Sequence, residues 1–127
     1  MLFNVVDPNF SKAEKGYLSI IREGMREAVV DPKGTAHRKT TTKVKIAGKT
    51  GTSQVIEKPQ GKKELEEYNA NLSYENRPHG LFGAFAPYND PKYVVVVIVE
   101  HSGSSGGAVS IVSNIFDKLE ELGYINT

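Results

Sequence analysis

Apolar residues recur at helical spacing early in the chain, at Leu18, Ile21, Met25 and Val29, with charged residues between them. That period predicts an amphipathic helix. Ser11-Lys12-Ala13-Glu14 has the form of a capping box at its start, and Asp31-Pro32 ends the pattern. A polar link through Gly34 and Thr35 leads to β-branched residues that predict a strand from about Thr42 to Ile56. Residues 57–78 are charged, with a short helical stretch from Lys62 to Tyr68, and read as a loop inserted between strands. Leu81 to Ala86 is a second strand, and Pro87-Tyr88-Asn89-Asp90-Pro91 is a turn into a third, Tyr93 to Glu100. The third strand runs Val94, Val95, Val96, Val97, Ile98, Val99 without alternation, which predicts a central strand buried on both faces. Ala108, Ile111, Val112, Ile115, Phe116, Leu119 and Leu122 then follow at helical spacing, with Gly123 placed as a C-terminal cap. The predicted fold class is α/β (α+β): an antiparallel sheet of about three strands flanked by an N-terminal and a C-terminal helix.

Composition narrows the function classes without choosing one. At 127 residues the chain can form one domain with a modest core, and its net charge of +1 argues against a general nucleic-acid binder. Without cysteine there is no disulfide or thiolate metal site. The longest apolar run, Tyr93 to Val99, is too short to span a bilayer, and the first residues lack a signal-peptide pattern, so the chain as written reads as soluble and without an anchor. His37, His79 and His101 share no ligand spacing, which leaves them surface or capping roles and predicts no metal and no cofactor. Arg38, Lys39, Lys43 and Lys45 form a basic stretch, read as a solvated strand edge before an anionic docking surface.

Chemistry concentrates in Ala47-Gly48-Lys49-Thr50-Gly51-Thr52-Ser53-Gln54-Val55. Lys-Thr-Gly-Thr arises by chance in roughly one in a thousand chains of this length, so the match carries weight. Gly48-Lys49-Thr50 could also close a phosphate-binding loop, but that loop needs glycine five residues before Gly48, where Lys43 stands. It also needs a helix beginning at the lysine, whereas Gly51, Thr52, Ser53 and Val55 favour a strand.

The order of helix, Gly34-Thr35-Ala36, Gly48-Lys49-Thr50-Gly51-Thr52, Phe85-Ala86-Pro87-Tyr88-Asn89, valine-rich strand, Gly106-Gly107 and final helix resembles the C-terminal part of the transpeptidase domain of class B penicillin-binding proteins. Tyr68-Asn69-Ala70 and Phe85 to Asn89 point to the elongation-specific branch. The resemblance implies a truncated form of the fold shared with serine β-lactamases. It also implies part of a peptidoglycan D,D-transpeptidase that cross-links stem peptides and binds penicillin. In such enzymes a serine attacks the penultimate D-alanine carbonyl, terminal D-alanine leaves, and an amine on a neighbouring strand takes the acyl group.

Within that resemblance Lys49 supplies a fixed ammonium beside the donor carboxylate, and Thr50 and Thr52 offer hydroxyls to it. The Thr52 backbone N–H is implied as half of an oxyanion hole, and Gly51 lets substrate pair along the strand edge. Strict alternation would put Lys49 and Gly51 on one face and Thr50 and Thr52 on the other. Tyr74-Glu75-Asn76 mimics the tyrosine variant of the family's Ser-x-Asn motif but follows Lys-Thr-Gly where the family places it before, and is read as a decoy.

The nucleophile is the departure, for no serine in the chain has lysine three residues later. The chain alone is therefore expected to be inactive, as one wall of a site whose serine lies in the upstream half of the same domain. Two earlier strands of the family's sheet are also missing, which leaves the valine-rich strand with an open edge and a route to a homodimer. Further implied partners are stem peptides, β-lactams and, through the parent, elongation-complex proteins, with no nucleic acid. The implied parent sits in the bacterial inner membrane with this domain facing the periplasm. The alternative is a non-enzymatic ligand-binding or interaction module derived from that fold.

Overall fold

The computed structural model describes residues 11–126. Helix α1 spans Lys12–Val30 and opens with the expected capping box. The Ser11 hydroxyl accepts the Glu14 N–H, and the Glu14 carboxylate accepts the Ser11 N–H. These two bonds satisfy amide donors that a helix start otherwise leaves open. Asp31 is the C-cap, in extended geometry ahead of Pro32, as the sequence pattern requires.

Three antiparallel strands follow, β1 at Ala47–Ser53, β2 at His79–Ala86 and β3 at Tyr93–Val99, in the order β1-β2-β3. Helix α2, Lys62–Ala70, and a 3-10 turn at Tyr74–Asn76 lie in the connection between β1 and β2. Helix α3, Gly106–Glu121, closes the order and packs on β2 and β3, while α1 packs on β1. Among the described residues no helix is long and apolar enough to cross a membrane.

The core lies between the sheet and α3. Gly80, Phe82, Ala84 and Ala86 turn one face of β2 inward, and Phe82 meets Val109, Val112 and Phe116 of α3 in one buried cluster. The α3 C-terminus is a Schellman motif. Gly123 takes φ +78, its N–H reaches Glu120 O, and the Tyr124 N–H reaches Leu119 O. The cap turns the chain back so that Ile125 enters the same core.

Two expectations are corrected. The first strand is shorter than Thr42 to Ile56, because pairing with β2 begins only at Ala47 and ends at Ser53. Before Ala47, Val44 and Ile46 are buried while Lys43 and Lys45 point outward. That alternation reads as strand in the sequence although no strand among the described residues pairs with it. The second correction concerns β3, which among the described residues is an edge strand with one buried face. Val94, Val96 and Ile98 are 56%, 64% and 59% exposed, while Val95, Val97 and Val99 pack against the core. An unbroken valine run satisfies either arrangement. What decides is that β2 holds the centre, paired with β1 on one side and β3 on the other.

Candidate active site

The Lys-Thr-Gly segment lies wholly within β1, in register Lys49 with Gly83, Thr50 with Phe82, Gly51 with Leu81 and Thr52 with Gly80. Among the described residues β1 pairs only with β2, so its outer edge faces solvent with unpaired backbone groups. Strand periodicity then sorts the side chains. Gly48 and Thr50 turn toward Phe82 and the core, and Lys49 is exposed on the opposite face.

Gly48 is fixed by packing. A Cβ there would lie 2.5 Å from Phe82 Cζ and 2.7 Å from Gly83 O, so any side chain must displace the ring or the neighbouring strand. Gly51 is different, since its Cβ would meet only Leu81 Cβ at 3.4 Å, an ordinary contact. Nothing within the described fold demands glycine at position 51.

Thr50 is 9% exposed and its hydroxyl donates to Thr35 Oγ1 at 2.9 Å. Thr35 is itself exposed and belongs, with Lys49 and Lys33, to a shallow depression that Glu27 and Asp31 of the α1 end also line. The Lys49 ammonium donates to Thr50 O at 2.6 Å. Thr52 and Ser53 are exposed at the strand's far end. Lys49, Thr50 and Thr35 thus form one connected polar group. Sequence reasoning reached the first two; Thr35 was visible only as part of Gly34-Thr35-Ala36, with no signal of its contact.

A second network ties α1 to the turn after β2. The Arg22 guanidinium donates to Tyr88 O at 2.8 Å and lies 5.8 Å from the Phe85 ring centroid. The Tyr88 hydroxyl donates to Glu23 Oε2 at 2.8 Å, and Glu23 also takes a two-pronged bond from Arg26. The Arg26 hydrogen bond, then that of Tyr88, holds the Glu23 carboxyl below the usual carboxylate range. The same bond to Glu23 raises Tyr88 above the usual phenol value. The bond between Ala86 and Pro87 is cis. The sequence pattern gives Phe85 to Asn89 as a strand end, a turn and a family signature; the contacts add that this segment seats α1 against the sheet.

The histidines fall at element ends. His37 Nδ1 meets Val29 O at 3.0 Å, in the last turn of α1. His79 Nδ1 accepts the His101 N–H at 2.9 Å, and His101, at φ +52, packs its ring against Tyr74 and edge-on against His79. Tyr74-Glu75-Asn76 is a 3-10 turn whose tyrosine also lies under Arg77. Among the described residues no group of three or more His, Cys, Asp or Glu could hold a metal ion.

Comparison with known proteins places this geometry in a family. Residues 5–120 match the penicillin binding protein transpeptidase domain. The peptidoglycan D,D-transpeptidase MrdA of Escherichia coli K12 is 37% identical over 115 residues, covering 89% of this chain and 18% of that protein. MrdA of Acinetobacter baumannii is 41% identical over 95 residues, covering 73% and 14%. The chain thus spans less than a fifth of the length of these relatives. Among solved structures, Helicobacter pylori penicillin-binding protein 2, in its complex with MreC, superposes with a TM-score of 0.76 at 32% identity over 91% of this chain and 19% of that one. Pseudomonas aeruginosa penicillin-binding protein 2 gives 0.64 at 30% identity, over 89% and 22%. With the match covering nearly the whole chain and the Lys-Thr-Gly segment on an open sheet edge, this protein belongs to the transpeptidase-domain family of penicillin-binding proteins and is similar to penicillin-binding protein 2.

Proposed function

We propose that the chain is the Lys-Thr-Gly wall of a peptidoglycan D,D-transpeptidase that cross-links stem peptides and is inhibited by penicillin. The observation that carries this reading is the position of Lys49 to Thr52 on the solvent-facing edge of β1. A donor peptide, or a β-lactam imitating it, lies antiparallel to that edge and pairs with the backbone around Gly51. Lys49 meets the donor carboxylate and Thr52 supplies a hydroxyl to it, and Thr50 joins them when its hydroxyl turns from Thr35 to the ligand. The Thr52 N–H is one of two donors to the oxyanion that forms when a serine Oγ adds to the carbonyl carbon. Collapse of that intermediate expels D-alanine and leaves an acyl ester on the serine, which the acceptor amine then cleaves.

The serine and its lysine base come from residues other than these 127, since no Ser-x-x-Lys occurs among them. On this reading the chain alone forms no covalent adduct. In the complete enzyme, held at the bacterial inner membrane, the domain faces the periplasm. The solved complex of the H. pylori relative with MreC supports an assignment to the elongation machinery.

The test uses a separate polypeptide carrying Ser-x-x-Lys from the upstream part of such a domain, mixed with this chain and labelled with fluorescent penicillin. Labelling should require both polypeptides and fall about a hundredfold with Lys49→Ala, in line with the loss of a preorganised charge at the site. Equal labelling with Lys49→Ala would remove the assignment. The missing nucleophile also favours a second reading, a ligand-binding module. Saturable, non-covalent penicillin binding to the chain alone would support it.

A further inference from the structure

Away from the β1 edge, a cleft of about 550 Å³ opens between the last turns of α1, residues 40–46 and the turn after β2. Its walls include Arg26, Val30, Lys43, Lys45, Tyr88 and Asn89, and among the described residues no carboxylate lines it. The Arg26 charge is already met by Glu23. Lys43 and Lys45 are not met, because neither ammonium takes a hydrogen bond or ion pair among the described residues. In a chain whose net charge is only +1, this is a local excess of positive charge over an apolar floor. Val30 adds a half-exposed side chain, and Val44 and Ile46 lie beneath.

The backbone along one wall is also open. Among the described residues Lys43 uses neither its N–H nor its C=O, and Lys45 uses only its C=O, which accepts the Tyr88 N–H at 2.8 Å. Side chains alternate there, Lys43 and Lys45 outward and Val44 and Ile46 inward. Such a segment can accept main-chain hydrogen bonds from an extended peptide while its lysines meet acidic side chains. A concave cleft of this volume favours an inserted side chain over a bilayer surface, which would need a flat or convex cationic face.

We propose that this cleft is a docking groove for an extended acidic peptide segment of a partner protein. One apolar side chain of the peptide seats against Val30, and flanking carboxylates reach Lys43 and Lys45. The groove is separate from the Lys-Thr-Gly edge and does not depend on the transpeptidase reading.

The probe is a labelled peptide alternating glutamate and valine, titrated into the 127-residue chain by fluorescence anisotropy and amide NMR. Saturable binding should shift the amides of Val30, Lys43, Lys45 and Asn89, and should weaken at least tenfold in the double variant Lys43→Glu, Lys45→Glu. Those side chains are exposed, and an unchanged amide spectrum elsewhere verifies that the variant is folded. Equal binding of the glutamine-for-glutamate peptide, undiminished binding to the variant, or shifts outside the cleft would overturn the proposal. So would tighter, variant-sensitive binding to phosphatidylglycerol vesicles, which would make the patch a membrane contact, or loss of the cleft signals on self-association alone.

Discussion

At the scale of single residues, the two glycines flanking Lys49-Thr50 separate folding from function. Gly48 lies under the Phe82 ring, so Gly48→Ala should destabilise the chain by about 1–3 kcal/mol, measured by urea unfolding. Gly51 has room for a methyl group, so Gly51→Ala should leave the unfolding midpoint nearly unchanged while weakening ligand pairing along β1. If both substitutions cost the same stability, position 51 is structural and the edge-pairing account loses its support. The sequence named Lys49, Thr50, Gly51 and Thr52 because a short, rare string marks them. It could not show that Thr50 is nearly buried on Thr35, since that contact joins residues 15 apart and depends on how α1 meets β1. Glu23 and Tyr88 were hidden for the same reason, their bond spanning 65 residues.

At the scale of elements, the helices were legible because their signals are local. The Ser11 to Glu14 box, the stop at Asp31-Pro32 and the Gly123 cap each depend on residues within one or two turns. Gly123→Ala should therefore cost about 1 kcal/mol, read as a lower melting temperature, because φ +78 strains any residue with a Cβ. The burial of β3 was not legible, for a valine run describes a strand well but does not say how many faces are covered. The seating of α1 should also depend on pH. Glu14 and Glu23 both titrate below their ordinary values, through the bonds from Ser11 and from Arg26 respectively. Their contribution is therefore complete above the unfolded carboxylate value, about 4.3, and disappears as the pH falls through the lower folded values. Tyr88 shifts upward, so its contribution holds below the unfolded phenol value, about 10, and is lost as the pH rises through the folded one. Amide exchange along α1 should accelerate at both extremes, and Glu23→Gln should flatten the alkaline limb and reduce the acid one to the part that Glu14 supplies. Exchange that is independent of pH after correction for the intrinsic rate would contradict this coupling.

At the scale of the whole molecule, the sheet is finished on one side only. The α3 face is closed by Phe82, Val109, Val112 and Phe116, while the other face exposes Val94, Val96 and Ile98 beside an edge of β3 that no strand among the described residues pairs. An apolar surface on an unpaired strand favours association, and we expect a homodimer through this edge when no other polypeptide covers it. Light scattering should show a concentration-dependent rise in mass that Val96→Lys reduces, whereas a monomer at all concentrations would refute the expectation. On the proposed reading, the upstream half of a transpeptidase domain would compete for the same surface and bring the Ser-x-x-Lys spacing that does not occur among these 127 residues. The most direct test is therefore intact mass spectrometry after incubation with a β-lactam, for this chain alone and for its mixture with that upstream polypeptide. The account predicts no adduct on the chain alone and a stoichiometric adduct on the upstream polypeptide in the mixture. An adduct on this chain by itself would contradict it, and would place the nucleophile among its own serines.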